Sequence, residues 1–183
     1  MRPLIPIDIA LNYSSLEVVK ETDNYFIFFG KNKIDLDVVI KIRVYDTKVF
    51  SGLGDEDGAL LNYHRLSKKI EKSSWAPKIL ENYIIEENDL TYVVIVEKRY
   101  YQADYFGSDI IDKKQLLEDI EKLLIELHEI GITHRDVALR NICWNRDTGR
   151  YMLIDYNDAV DYIEMTVDEE MVTLRRELES IDN

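Results

Sequence analysis

Two stretches decide the fold expected of this chain: His-Arg-Asp-Val-Ala-Leu-Arg-Asn at residues 134–141, and Leu-Ile-Asp-Tyr-Asn at residues 153–157. The first places an acid, Asp136, five positions before an amide, Asn141. The second places another acid, Asp155, directly after a short apolar run. Phosphoryl transfer needs one carboxylate to orient a hydroxyl, and an amide with a second carboxylate to hold Mg²⁺ on the phosphates. The spacing therefore predicts a phosphoryl-transfer site.

The residues around the first stretch predict a helix before it and a β-hairpin after it. Gly131 follows a helical pattern and suits the C-cap, where a left-handed backbone is common. The turn Asp-Thr-Gly at residues 147–149 separates the apolar runs 142–144 and 151–154, which is a hairpin signal. The helical pattern is formed by Leu116, Leu117, Ile120, Leu123, Leu124, Leu127 and Ile130.

In this order of helix, glycine, His-Arg-Asp and hairpin, the chain resembles the C-lobe of the protein-kinase-like superfamily. The resemblance implies a bilobal α+β fold. Its N-lobe would be a five-stranded antiparallel sheet with one helix, and its C-lobe would be reduced and mostly helical. We expect the N-lobe at residues 12–97 and the C-lobe at residues 98–183, together forming one kinase-like domain.

The N-terminal half has the strand and helix patterns that this fold requires. Runs rich in Val, Ile, Phe and Tyr predict strands, and an amphipathic segment predicts a helix between the third and fourth strands. The strands are expected at residues 16–21, 25–29, 37–45, 81–86 and 91–96, and the helix at residues 55–71.

The N-terminal half also resembles the kinase family, at the strand that contains Lys41. It ends the run Val-Val-Ile-Lys at residues 38–41, which is similar to the Val-Ala-Ile-Lys strand of kinases. In that family the lysine pairs with the nucleotide phosphates and with a glutamate on the next helix. An ammonium on an apolar strand needs a partner, because burying it alone is costly. Glu56 is the partner that we expect, with Asp57 and Glu71 as alternatives.

The resemblance also implies a purine site at the end of the last predicted strand. In kinases the backbone of the connector between the lobes binds the adenine. By resemblance Val96 is the gatekeeper, the carbonyl of Glu97 an acceptor and the amide of Arg99 a donor. Side-chain contacts to the purine are implied for Val39, for Val18 or Val19, and for Cys143.

The sequence departs from the family pattern in three places. The turn Glu-Thr-Asp-Asn at residues 21–24 has no glycine, and its acids repel phosphates, so we expect modest nucleotide affinity. Asn157 stands where protein kinases have the glycine of their metal-binding run, as in small-molecule and atypical kinases. No Ala-Pro-Glu run follows Asp155, so we expect a truncated C-lobe that ends in an amphipathic helix over residues 167–178.

Composition and charge restrict the expected partners. Hydrophobic residues make up 46% of the chain, which is enough for a core, and the formal net charge is −13. That charge argues against a nucleic acid or an anionic membrane surface as the main partner. Cys143 is the one cysteine, so an intrachain disulfide is impossible.

The sequence also gives an expectation for the compartment. Proline and aspartate interrupt the first eight residues before the apolar core of a signal peptide could form. No stretch approaches the roughly 20 apolar residues of a membrane span. We therefore expect an intracellular protein, either cytoplasmic or nuclear.

Two functions remain open from the sequence. The first is an ATP- and Mg²⁺-dependent phosphotransferase with Asp136 and Arg140 as catalytic residues, Asn141 and Asp155 as metal ligands, and Lys41 on the phosphates. Its expected acceptor is a hydroxyl of a protein, with a small-molecule hydroxyl as the alternative. The second is a pseudokinase that binds nucleotide and acts as a regulatory or scaffold module.

Overall fold

A computed structural model describes residues 6–50, 59–102 and 112–181. The described residues form two compact units. The first contains the residues up to Ser67 together with Lys78–Arg99, and the second contains Lys68–Pro77 together with the residues from Tyr100 onward. The predicted assignment of residues 12–97 and 98–183 to two lobes of one kinase-like domain stays a prediction.

The first unit is built on a five-stranded antiparallel sheet with the order β1-β2-β3-β5-β4. This sheet and the mixed α+β class were predicted and are confirmed. The strands are longer by a few residues than their patterns indicated. Its elements are α1 (Ile7–Asn12), β1 (Ser14–Glu21), β2 (Tyr25–Lys31), β3 (Asp37–Asp46), α2 (Thr47–Phe50), α3 (Ala59–Ile70, which belongs to this unit as far as Ser67), β4 (Ile79–Glu87) and β5 (Leu90–Lys98).

The two faces of this sheet carry different side chains, because successive residues of a strand point to opposite sides. One face holds an apolar cluster that includes Ile40 of β3, Val96 of β5 and Ile9 of α1. Lys41 follows Ile40 and therefore lies on the other face, which we call the Lys41 face. Of the helix predicted at residues 55–71, the described part is α3, whose Leu60, Leu61, Tyr63, Leu66 and Ile70 are buried.

The second unit contains a long helix followed by a short hairpin, as predicted. Its elements are β6 (Tyr101–Gln102), α4 (Lys113–Glu129), β7 (Ile142–Asn145), β8 (Arg150–Leu153), α5 (Val167–Glu170) and α6 (Val172–Ser180). Asp112 caps α4 by accepting a hydrogen bond from the Gln115 amide at 2.9 Å. Gly131 ends the helical segment with φ +78°, a backbone angle that glycine adopts without steric cost.

The C-terminal helix is divided, which differs from the single helix predicted at residues 167–178. Met171 lies between α5 and α6, and its amide donates to the Val167 carbonyl at 3.0 Å. Leu174 and Leu178 of α6 are buried, as their helical spacing predicted. Within the described ranges, no helix has the length and apolar character needed to cross a membrane. The compartment stays a prediction.

Candidate functional site

The loop at residues 134–141 brings three of the predicted site residues into direct contact. The side-chain nitrogen of Asn141 donates to the Asp136 carbonyl at 2.9 Å and to Asp136 Oδ2 at 2.7 Å. The guanidinium of Arg140 contacts the other carboxylate oxygen, Oδ1. The Asp136 side chain is 28% exposed, so its carboxylate is fixed by two neighbours and remains accessible. An accessible carboxylate that is held by its neighbours is chemically suited to orient a hydroxyl group.

The backbone places Asp155 beside that loop. The Ile154 amide donates to the Asn141 carbonyl at 2.8 Å, which joins the end of β8 to the residue that the sequence predicts as a metal ligand. Asp155 itself adopts a left-handed conformation with φ 66° and ψ 66°. For a residue other than glycine this conformation costs roughly 1–2 kcal/mol. Strain of this kind is found at functional sites, where the surrounding structure enforces it.

His134 is a buried, neutral connector between these two segments. Its Nδ1 accepts a hydrogen bond from the Asp136 amide at 3.3 Å. Its ring meets the Tyr156 ring edge-on, with the centroids 4.7 Å apart. Burial lowers the pKa of His134, although the nearby carboxylates of Glu170, Asp155 and Asp136 oppose that shift. The imidazole therefore supports the loop without adding charge to it.

Two glutamates of the C-terminal helices hold the backbone of the loop, and the sequence did not reveal them. Glu170 is buried; its Oε1 accepts from the Arg135 amide at 2.7 Å, and its Oε2 lies 2.7 Å from His128 Nε2. Glu177 Oε2 accepts from the Leu139 amide at 2.7 Å. Their positions in the sequence give no signal for these contacts, because an acid in a helix is usually solvated.

Lys41 is buried and has a partner that the sequence analysis did not assign to it. Its Nζ lies 3.4 Å from each carboxylate oxygen of Glu97 on β5. Tyr63 of α3 donates its hydroxyl to Glu97 Oε1. The expected partner Glu56 and its alternative Asp57 lie outside the described residues. The other alternative, Glu71, is exposed in the turn after α3.

The register of the sheet gives the side on which each of three predicted purine contacts lies. Val96 faces Ile40 within the apolar cluster, on the side opposite to Lys41. Val18 faces Phe28 of that same cluster and is likewise on the opposite side, and the roles of both residues at a purine stay predictions. Val39, in contrast, faces Glu97 and belongs to the Lys41 face.

The structure also describes the other residues that were predicted to contact the purine. Val19 lies at the irregularity of β1, between Val18 and Lys20, and is half exposed. The Arg99 amide, which was expected to face a nucleotide, donates to the Asp37 carbonyl at 3.0 Å. Its guanidinium lies 3.6 Å from the centroid of the Phe29 ring. Cys143 is buried in β7.

The turn between β1 and β2 is closed by its own hydrogen bonds. The Thr22 amide donates to the Tyr25 carbonyl at 2.9 Å, and the Tyr25 amide donates to Thr22 Oγ1 at 3.1 Å. The Asn24 carbonyl accepts from the Val44 amide at 2.9 Å. Two amides that a phosphate-binding turn would offer to its ligand are therefore already used, in agreement with the missing glycines.

Asn141 and Asp155 carry oxygen atoms of the kind that Mg²⁺ prefers as ligands. Among the described residues, no group of three or more His, Cys, Asp or Glu side chains could hold a metal ion. Mg²⁺ does not require such a group, since it is usually bound by one or two carboxylates together with substrate phosphates and water. The Asn141 nitrogen is directed at Asp136, which leaves its side-chain oxygen for another contact.

Comparison with known proteins gives a partial similarity to a kinase. Over 42 residues the chain is 38% identical to "Probable serine/threonine-protein kinase fnkB" of Dictyostelium discoideum. The match covers 23% of this chain and 8% of that protein. No family model matches the chain. The similarity suggests a relation to kinases and extends over too little of either chain to show a shared activity.

Proposed function

We propose that this chain is an ATP- and Mg²⁺-dependent phosphotransferase of the protein-kinase-like superfamily. The observation that carries the proposal is the contact of Asp136 with both Arg140 and Asn141 in one loop, next to the strand end that bears Asp155. The bilobal kinase-like fold is part of the same proposal. The partial similarity to a serine/threonine kinase also supports it.

Each residue of the loop has a distinct part in the proposed reaction. The carboxylate of Asp136 orients the acceptor hydroxyl and takes its proton, as a positioned base does. The exposed guanidinium of Arg140 neutralises charge on the transferred phosphoryl group. Asn141 and Asp155 hold Mg²⁺, which when bound neutralises charge on the phosphates. Lys41 pairs with those phosphates.

The proposed acceptor is a hydroxyl group of a protein, and a small-molecule hydroxyl is the alternative. The name of the similar protein specifies a serine/threonine kinase, which favours a protein acceptor. The proposed site of action is the cytoplasm or the nucleus, and we propose neither nucleic acid nor membrane as a partner.

Labelled ATP tests the proposal directly. The protein is incubated with γ-labelled ATP and Mg²⁺, alone and with a panel of peptides and small alcohols. Label is expected on the protein or on an acceptor, and an excess of EDTA is expected to abolish the transfer. Binding of ATP without any transfer would replace this proposal by the scaffold function.

The scaffold function, a pseudokinase that binds nucleotide, is favoured by one specific observation. In the closed turn at Thr22–Tyr25, the amides of Thr22 and Tyr25 are already hydrogen-bonded and are therefore unavailable to a phosphate group. In this function the protein binds a nucleotide weakly and transfers no phosphoryl group to an acceptor. ATP hydrolysis or transfer in the assay above separates the two functions.

A further inference from the structure

A buried cluster on the Lys41 face joins an ammonium, a carboxylate and a phenol. Lys41 and Glu97 are both buried, and Nζ of the first lies 3.4 Å from either carboxylate oxygen of the second. Tyr63 donates its hydroxyl to the same carboxylate. The Lys41 ammonium also lies 5.1 Å from the centroid of the Tyr63 ring. One carboxylate thus connects a strand residue to a helix residue.

The sheet register explains why Glu97 reaches Lys41. Lys41 faces Ile95, and Val39 faces Glu97, so Lys41 and Glu97 are diagonal neighbours on one face. Long side chains span that diagonal distance in a sheet. The contact between Lys41 and Glu97 therefore follows from the register of β3 and β5. Tyr63 connects α3 to the same carboxylate.

Because Lys41 and Glu97 are both buried, the loss of either charge is expected to be costly. A buried ammonium without a partner is very unfavourable, and removing one member of a buried pair leaves the other uncompensated. Glu97 therefore compensates the charge of the Lys41 ammonium and holds it on the Lys41 face. Tyr63 in turn fixes the carboxylate, since a hydrogen bond to a charged acceptor is stronger than one between neutral groups.

We propose that Glu97 and Tyr63 are the residues that position Lys41 for binding nucleotide phosphates. This inference rests on the proposed function, in which Lys41 binds those phosphates. It gives the end of β5 a part in positioning Lys41 that the sequence analysis did not assign to it. It also gives the side chain of Glu97 a function, where the sequence implied only its backbone carbonyl.

Two isosteric variants and one matched control test the proposal by calorimetry. In Glu97→Gln we expect ATP affinity to fall about tenfold, and in Tyr63→Phe about threefold, both within the range of a typical lost hydrogen bond. Glu86→Gln, on the exposed edge of neighbouring β4, should bind ATP as the wild type does. Adenosine, which has no phosphates, should bind all four proteins equally, whereas general damage to the fold would weaken both ligands.

A double-mutant cycle tests the pairing without nucleotide. Unfolding equilibria are measured in urea for wild type, Lys41→Met, Glu97→Gln and the double variant. We expect a coupling of about tenfold in the unfolding constant, as for residues in direct contact. Tyr63→Phe retains the ring and gives a second measurement if Glu97→Gln does not fold.

The possible results distinguish this inference from the proposed function. A wild-type protein that binds no ATP overturns both. A wild type that binds ATP, with Glu97→Gln and Tyr63→Phe unchanged, overturns the positioning role alone. Tighter ATP binding by Glu97→Gln also overturns it, because Glu97 would then compete with the phosphates for Lys41. Zero coupling in the cycle contradicts the pairing itself.

Discussion

The loop at residues 134–141 and the Lys41 face differ in how far apart along the chain their contacting residues lie. Asp136 and Asn141, which share a hydrogen bond, are five positions apart. Lys41 and Glu97, which share an ion pair, are 56 positions apart. A contact within one loop is part of the sequence pattern that reveals it. A contact between strands depends on register, which no short pattern specifies.

The largest effect is expected from breaking the local contact at Asp136. Asp136→Asn keeps the size of the side chain and removes the charge that a base needs. Phosphate transfer should fall about 10²-fold or more, the scale of a lost acid–base group. ATP affinity should be unchanged, because in the proposed reaction Asp136 contacts the acceptor and not the nucleotide. Labelled ATP measures the first quantity and calorimetry the second.

Asp147→Asn is the matched control, since Asp147 is an exposed acid in the turn between β7 and β8. It should transfer phosphate like the wild type. If Asp136→Asn and wild type transfer phosphate equally, Asp136 is not the catalytic base. The spacing of Asp136 and Asn141 would then have no catalytic meaning.

A second prediction concerns Asp155, which follows β8 and is a predicted metal ligand. Asp155→Asn should abolish the Mg²⁺-dependent part of the thermal shift that ATP produces, because a neutral amide is a poorer ligand for a hard dication. The fold should tolerate this change, since asparagine adopts the left-handed backbone of this position readily. Asp158→Asn, an exposed acid of the next turn, should retain the full shift. An undiminished shift in Asp155→Asn would rule out Asp155 as a ligand.

The same contrast explains which features could be predicted from sequence. Periodicity and turn residues predicted α4, the hairpin and the five strands, because these elements depend on neighbouring residues. The contacts of Glu97, Glu170 and Glu177 could not be predicted, because each reaches a partner far along the chain. The side of the sheet on which Val96 lies could not be predicted for a related reason: one position along a strand reverses the side on which a residue lies.

A third prediction concerns pH and His134. Its pKa is lowered in the folded protein by burial, whereas in the unfolded chain it is near 6.5. Below about pH 6.5 the unfolded state binds more protons than the folded state, so the free energy of unfolding falls as pH decreases, by at most about 1.4 kcal/mol per pH unit. The fall ends at the lowered pKa of the folded state.

Urea unfolding at a series of pH values measures this dependence. His134→Asn can still accept a hydrogen bond from the Asp136 amide and does not titrate, so its stability should fall less steeply between pH 6.5 and pH 5. If the free energy of unfolding falls equally steeply with pH in the two proteins, His134 is protonated in the folded state over this pH range, contrary to the effect of burial.

The smallest effect is expected at a local contact whose sequence signal is the spacing Thr-x-x-Glu. Thr166 Oγ1 accepts from the Glu169 amide at 3.3 Å, and Glu169 Oε2 accepts from the Thr166 amide at 2.7 Å, which forms a capping box at the start of α5. Thr166→Ala should lower the free energy of unfolding by about 1 kcal/mol, the usual value for a lost N-cap. Thr173→Ala, at an exposed position of α6, should change it by less than about 0.5 kcal/mol.

The loss in Thr166→Ala should also depend on pH, because the backbone and hydroxyl of Thr166 lower the pKa of Glu169 by donating to its carboxylate. The stability from this pair is present above the unfolded pKa of a glutamate, about 4.3, and is lost as pH falls through the lowered folded value. The difference between wild type and Thr166→Ala in urea should therefore shrink below about pH 4. A difference that is constant down to pH 3 would mean that the hydroxyl of Thr166 does not contribute to the lowered pKa of Glu169.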